Sequence, residues 1–321
     1  MFRQDRKRKE ERKSNMANKQ SLAGDPGIWA GLNHPELSAQ QADVVVFGVP
    51  YDGGVSFRAG ACEAPAALRG ITYTISPTTE DFRDFSSLKV KDLGDCTGSR
   101  EEMFAQAQAM AAQAVKAGRF FTMIGGDHST TNPVHRGIDE AVDTDFGILH
   151  FDAHFDLCDE MHGDKLSHGS TERRAVELSH VRDSDHLCFV GIRSIESDEL
   201  EYFRTHNIQV VSAADVDHMG IAAVLEKIVS FLGRFEKVYI TLDIDCLDPA
   251  YAPGTGTPQF GGLTPRQLLD LLRGVFEHLN VIGMDVVEVA PSLDPAQTAL
   301  FAARKIVTEC WAHHYFKNIA R

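Results

Sequence analysis

Asp152, His154 and Asp156 occupy alternate positions of the string Asp152-Ala153-His154-Phe155-Asp156. In an extended segment successive side chains point to opposite faces, so two carboxylates and one imidazole share a side. Asp243 and Asp245, in Asp243-Ile244-Asp245, repeat the spacing. The string Gly125-Gly126-Asp127-His128-Ser129 adds a second imidazole, that of His128. Brought to one point, these residues would crowd four carboxylates and two imidazoles together. The carboxylates cannot all stay ionised unpaired, because burial and like charge raise their pKa values until some neutralise. Two divalent cations balance four negative charges. Oxygen-rich ligation with imidazole suits Mn²⁺; Zn²⁺, Co²⁺ and Ni²⁺ take the same ligand types.

Each cluster follows a short apolar run: Phe120–Ile124, Gly147–Phe151 and Val238–Leu242. Runs of this kind recur at Val44–Pro50, Lys89–Gly94, Phe120–Gly125, Phe146–Phe151, Leu187–Arg193, Ile208–Ala213, Val238–Asp243 and Val281–Val287. Rich in β-branched residues and bounded by Gly, Asp or Pro, they read as strands buried on both faces of a parallel sheet. Helical patterns lie between several of them. Glu101–Ala117 is Ala-rich and amphipathic, and Ile221–Leu232 sets Val224, Ile228 and Leu232 on one face. Thr264 can cap a helix, with Pro265 in the first position and Gln267 completing a capping box. Leu268, Leu271, Leu272 and Val275 then form its core-facing stripe. Asp294 and Pro295 give a similar start to a last helix that continues through Ala299–Trp311. About eight strands alternating with helices make an α/β domain with a mainly parallel sheet. In such sheets ligands bind beyond the carboxyl ends of the strands, where clusters distant in sequence can meet.

The rest of the chain narrows the partners. Its 321 residues carry 32 basic and 46 acidic side chains, a formal net charge of −14. That balance argues against nucleic acid or anionic membrane as the main partner and favours cationic ligands. The basic run Arg6-Lys7-Arg8-Lys9 near the start has no apolar periodicity and reads as a solvated tail over residues 1–20, with Met16 an alternative start. Residues 21–321 read as a single domain. No apolar run follows the basic stretch as in a signal peptide, and no window approaches the ~18 apolar residues of a membrane span. Six cysteines are scattered without a C-x-x-C pair, which fits reduced thiols in a cytoplasmic protein.

Taken together the motifs resemble the arginase/agmatinase family of ureohydrolases. The resemblance rests on G-G-D-H-S, on D-A-H-x-D, on Thr241-Leu242-Asp243-Ile244-Asp245-Cys246-Leu247-Asp248-Pro249 and on Ala252-Pro253-Gly254-Thr255-Gly256-Thr257-Pro258. Gly283-Met284-Asp285-Val286-Val287-Glu288-Val289-Ala290-Pro291 belongs to it, as does Gly48-Val49-Pro50-Tyr51-Asp52 with Arg58, Gly60, Pro65 and Arg69. It covers residues 40–316, and its wording is closer to agmatinase than to arginase. It implies a three-layer α/β/α fold, two Mn²⁺ per subunit and a homo-oligomer, trimer or hexamer. His128, Asp152, Asp156 and Asp243 would hold one ion and Asp152, His154, Asp243 and Asp245 the other. Water activated between the ions would attack a guanidinium carbon, with Asp156 accepting its proton by hydrogen bond. Glu288 resembles the carboxylate that pairs with the guanidinium group, a planar bidentate match. His168, in Ser167-His168-Gly169-Ser170, resembles the family's proton shuttle, with His162 a nearby decoy.

The substrate choice turns on the loop Leu157-Cys158-Asp159-Glu160-Met161-His162-Gly163-Asp164. Its acidic residues, Asp159 and Glu160 foremost, would attract a small guanidino substrate with a cationic tail. That favours agmatine, cleaved to putrescine and urea. A carboxylate-ended substrate such as guanidinobutyrate or guanidinopropionate would want a cation, which Arg173 or Arg174 could supply. The string Asp152-Ala153-His154-Phe155-Asp156-Leu157 is similar to that of formiminoglutamases, and a catalytically silent guanidino binder is the non-enzyme alternative.

Overall fold

The computed structural model describes residues 22–320; the basic tail expected over residues 1–20 lies outside the described residues. All eight expected strands form within a residue of their expected limits: β1 (Val44–Val49), β2 (Val90–Asp95), β3 (Phe120–Gly125), β4 (Gly147–Phe151), β5 (Leu187–Ile192), β6 (Gln209–Ser212), β7 (Val238–Leu242) and β8 (Val281–Val286). They make one sheet in the order β2-β1-β3-β8-β7-β4-β5-β6. Every neighbouring pair is parallel.

Strand β1 shows why its sequence lacks polar alternation. Val44 and Val46 enter one core cluster, while Val45, Phe47 and Val49 enter the other on the opposite face. Both faces need apolar side chains because helices cover both. The first face packs α1 (Ala64–Ile71), α6 (Ala213–Met219), α7 (Ile221–Leu232), α8 (Pro265–His278) and α9 (Thr298–Asn318). The second packs α2 (Arg100–Lys116), α3 (Thr131–Ala141), α4 (Thr171–Ala175) and α5 (Ser197–Thr205). The result is the three-layer α/β/α arrangement. Trp311 of α9 packs at 5.1 Å against Trp29 and donates its indole N–H to Thr122 Oγ1 at 2.9 Å, which pins the helix to β3.

Helix α8 starts as expected. Thr264 Oγ1 accepts the Gln267 N–H, and the Gln267 side chain accepts the Thr264 N–H. The start of α9 differs. Helical geometry begins at Thr298, not at Pro295, because Gln297 takes a left-handed φ of 59° that breaks the turn. Asp294 still caps, reaching forward to accept the Ala299 N–H at 2.9 Å. No helix among the described residues is long and apolar enough to cross a membrane. The six cysteines are unpaired; Cys62 is half-buried and the others are buried.

Candidate metal centre and active site

The register of the four central strands lines up the motifs. Phe151 of β4 lies opposite Leu242 of β7, so Asp152 and Asp243 emerge side by side. Asp243 bridges to Val287, which continues β8, and Glu288 donates its N–H to Gly126 O at 2.8 Å, beyond β3. Gly126 must be glycine: a Cβ there would sit 1.8 Å from Tyr51 O. The motifs beyond β3, β8, β7 and β4 therefore meet at one level of one sheet edge, as the fold class leads one to expect.

Backbone N–H groups orient the carboxylates. Asp152 Oδ1 accepts the His154 N–H at 2.7 Å, Asp243 Oδ1 the Asp245 N–H at 2.7 Å, and Asp245 Oδ1 the Ala153 N–H at 3.1 Å. Each carboxylate thus keeps its second oxygen for the centre. His128 Nδ1 lies 3.0 Å from Asp152 Oδ2, 3.0 Å from Asp156 Oδ2 and 3.5 Å from Asp243 Oδ2. On the other side, His154 Nδ1 lies 3.3 Å from Asp245 Oδ2 and 3.4 Å from Asp152 Oδ1. His128 Nε2 meets Thr241 Oγ1 at 2.8 Å, and that hydroxyl donates to Asp285 Oδ1 at 2.9 Å. Because the hydroxyl spends its proton on Asp285, Nε2 carries the hydrogen and Nδ1 presents a lone pair. This is the tautomer a metal ligand needs.

Whether these residues fit a pair of cations can be judged from their buried atoms. His128 Nδ1, Asp152 Oδ2 and Asp245 Oδ2 are buried without a hydrogen-bond partner, which is costly unless an ion takes the lone pairs. The ligand-type atoms fall into two groups sharing Asp152: His128, His150, Asp152 and Asp156 in one, and Asp152, His154 and Asp245 in the other, with Asp243 Oδ2 3.5 Å from His128 Nδ1. Protons alone leave the cluster in conflict. Burial and repulsion from Asp245 and Asp152 push the Asp243 carboxyl well above its usual range, and burial with Asp152 raises Asp245. Burial opposes charge on His154, yet Asp245 and Asp152 lift it to about 12. Divalent cations remove that conflict, so the donor set fits them.

Asp156 and Glu288 both hold a left-handed backbone, with φ of 53° and 61°. For residues with a Cβ such geometry costs about 1–3 kcal/mol and persists where surrounding contacts impose it. The Asp156 carbonyl is held by the N–H groups of Glu172 (3.0 Å) and Arg173 (3.1 Å). Glu288 Oε1 accepts from the His128 backbone N–H and from His168 Nδ1, both at 3.0 Å. Glu288 Oε2 is buried and unpartnered. His168 Nε2 accepts the Ser56 N–H at 3.0 Å. Burial disfavours charge on His168, but Glu288, then Asp156 and Asp127, raise its pKa to about 9. His162, the decoy, is exposed on a turn.

A cleft opens over the centre, with His154, Asp156, Asp243 and His168 in its wall. Sequence reasoning missed most of the rest of that wall, which includes Ser56, Ser194, Glu196, Glu199 and Gln259. Glu199 is buried, and its oxygens accept the N–H groups of Leu157 and Glu196, each at 2.8 Å. Burial raises its carboxyl to about 7 in spite of those bonds. Arg193 fastens this wall: its guanidinium donates to Asp245 O at 2.6 Å and to Gln259 O at 2.8 Å. The E-x-x-E spacing of Glu196 and Glu199 at the entry to α5 is the one signal for it in the sequence. That signal is weak, because a strand-to-helix loop rich in acids is ordinarily solvated.

The structure does not bring Asp159 and Glu160 to the cleft. Both are exposed, and Asp159 is neutralised by Arg174 at 2.7 Å and Lys165 at 3.4 Å. Asp164 likewise pairs with Arg100 at 2.7 Å. Local cations outcompete a distant ligand for these surface carboxylates, so the expectation of substrate contact there is corrected. Arg174 is occupied by the same pairing and Arg173 lies over the Tyr202 ring, so neither reaches the cleft wall.

Residues 42–312 match the family model described as the arginase family. The agmatinase of Edwardsiella ictaluri is 39% identical over 280 residues, which are 84% of this chain and 86% of that protein. Proclavaminate amidino hydrolase from Streptomyces clavuligerus superposes with a TM-score of 0.79 at 34% identity, over 88% of this chain and 94% of that one. A variant of Trypanosoma cruzi formiminoglutamase with Mn²⁺ gives a TM-score of 0.79 at 25% identity, over 86% of this chain and 94% of that one.

Proposed function

The chain belongs to the arginase family and is a metal-dependent amidinohydrolase, and from that premise we propose that it hydrolyses agmatine to putrescine and urea with two Mn²⁺ per subunit. The observation that carries the choice of substrate is the charge of the cleft. Glu288, beside His168 of the cleft wall, has a buried, unpartnered Oε2, and Glu196 with Glu199 line the wall, while no Lys or Arg is among the described lining residues. A guanidinium at one end and an ammonium at the other match such a cleft. A carboxylate tail would meet Glu196 and Glu199 in that wall and no Lys or Arg.

His128, Asp152, Asp156 and Asp243 would hold one ion, and Asp152, His154, Asp243 and Asp245 the other. When bound, the ions supply a water acidified enough to attack a guanidinium carbon. The protein does the rest. Glu288 Oε2 takes the guanidinium N–H groups, and its Oε1 is fixed by His128 and His168, so the planar group is presented in one orientation. Asp156, locked in its left-handed turn, holds the proton of the attacking water. In the neutral ring of His168, Nδ1 carries the hydrogen towards Glu288 and Nε2 accepts from Ser56; once protonated at Nε2, His168 would release that proton to the departing amine. Its raised proton affinity, near 9, suits the basicity of an amine leaving group.

The test is a urea assay with Mn²⁺-loaded protein over agmatine, guanidinobutyrate, guanidinopropionate and arginine, with formamide release from formiminoglutamate followed separately. Agmatine should show the highest kcat/KM. Glu288→Gln should lose about a hundredfold or more of it while retaining both ions, since the residue touches the substrate and not the metals. Preference for a carboxylate-ended compound, or formamide as the main product, overturns the assignment.

A further inference from the structure

Beneath the centre lies a buried acid–imidazole pair that the mechanism above does not use. His150 and Glu172 are both fully buried, and His150 Nδ1 meets Glu172 Oε1 at 3.0 Å. On its other edge His150 Nε2 contacts His154 O at 3.2 Å and lies 3.1 Å from Asp152 Oδ2. Both ring nitrogens therefore face oxygen acceptors. The ring lies flat under that of His128, with centroids 5.1 Å apart and planes 6° from parallel. Glu172 acts on the same turn from its backbone, where its N–H and that of Arg173 hold Asp156 O in the left-handed turn. Two residues from separate elements thus touch or restrain His128, Asp152, His154 and Asp156. Buried polar atoms need partners, and here the partners are the turn that carries Asp152, His154 and Asp156.

We propose that Glu172 and His150 form a positioning pair that holds the Asp152–Asp156 turn and the His128 ring in the shape that receives two cations. Glu172 fixes the His150 ring, His150 fixes the His154 carbonyl and flanks Asp152, and the Glu172 N–H fixes Asp156. Neither residue is a catalytic residue, since both act through the ligands. The inference rests on reading the cluster as a two-cation centre, and not on which guanidino compound is cleaved.

The experiment is titration of the metal-free full-length chain with Mn²⁺, following stoichiometry and affinity by calorimetry and the coupled-pair signal by electron paramagnetic resonance. Two variants are compared with the unaltered chain. Glu172→Gln keeps the shape and weakens the hold on His150. His150→Phe/Glu172→Leu removes both partners at once, so that no buried charge is left unpaired and the fold is preserved. Affinity for the more weakly held ion should fall about tenfold or more in both, the usual scale for loss of an outer ligand support. The coupled signal should weaken, and at saturating Mn²⁺ KM should stay within about twofold while kcat recovers. His150→Gln, which restores an N–H towards His154 and Asp152, should regain part of the affinity. If the unaltered chain fails to take up two Mn²⁺, the reading of the centre falls and this inference with it. If it takes up two and the variants match it, the positioning role alone is overturned.

Discussion

Asp156 and Glu288 show how single residues carry the proposed chemistry. Each sits in a backbone conformation that costs energy by itself, and each is tied to other elements by backbone hydrogen bonds. Glu199 is the residue whose ionisation the cleft makes informative. Burial raises its carboxyl to about 7, so it is neutral below that value and a carboxylate above it. The form that attracts an ammonium tail is the ionised one. KM for agmatine should therefore fall as pH rises from about 6 to about 8, and Glu199→Gln should flatten that profile and raise KM about tenfold at the upper end. Steady-state kinetics over this range checks it; an unchanged profile in the variant removes Glu199 from substrate binding. Asp159 shows the opposite case. Its charge is visible in the sequence, but Arg174 and Lys165 neutralise it, and no sequence pattern announces which nearby cation will fold onto which acid.

The strands and helices are legible wherever local chemistry decides them. The inner strands β1, β3, β4, β5 and β7 are legible as largely apolar runs bounded by breakers because both their faces are buried, whereas the edge strands β2 and β6 are partly exposed and mix in Lys91, Asp92, Gln209 and Ser212. Helix α8 needs only Thr264, Pro265 and Gln267, since its cap is built from residues three apart in sequence. That cap gives a clean measurement. Thr264→Ala should lower stability by about 1 kcal/mol, read from the midpoint of urea unfolding, with activity per folded molecule unchanged. The start of α9 departs from its sequence signal because Asp294 gathers the N–H groups of Ala296, Gln297 and Ala299 in a turn that passes through a left-handed Gln297 before the helix begins. The Glu172–His150 pair is only half legible in the sequence: His150 stands just before the Asp152 string and reads as a support for the core or for the ligands, but nothing marks Glu172, 22 residues on in α4, as its partner.

At the scale of the whole molecule the centre is a liability that cations would turn into a clamp. Four carboxylates from two strand ends are packed into the interior, and lone pairs among them are unmet. Binding Mn²⁺ at about a hundred times its dissociation constant adds about 2.7 kcal/mol per site to folding stability. Mn²⁺ should therefore raise the Tm of the chelator-treated protein by about 5 °C or more, and Asp152→Asn, which alters the carboxylate shared by both ligand groups, should lose most of that rise in a calorimetric scan. The strand inventory, the parallel α/β class, the ligand strings and the family resemblance are all readable from the linear chain. They follow from short-range rules: periodicity, caps, and side chains alternating along an extended segment. The folded chain alone reveals that β3, β8, β7 and β4 are neighbours, that their ends stand at one level, and that Glu196 and Glu199 form the acidic wall in place of Asp159 and Glu160. Strand order and surface ion pairing are settled by competition among long-range contacts over the whole chain, and a local string of residues carries no record of which contact wins.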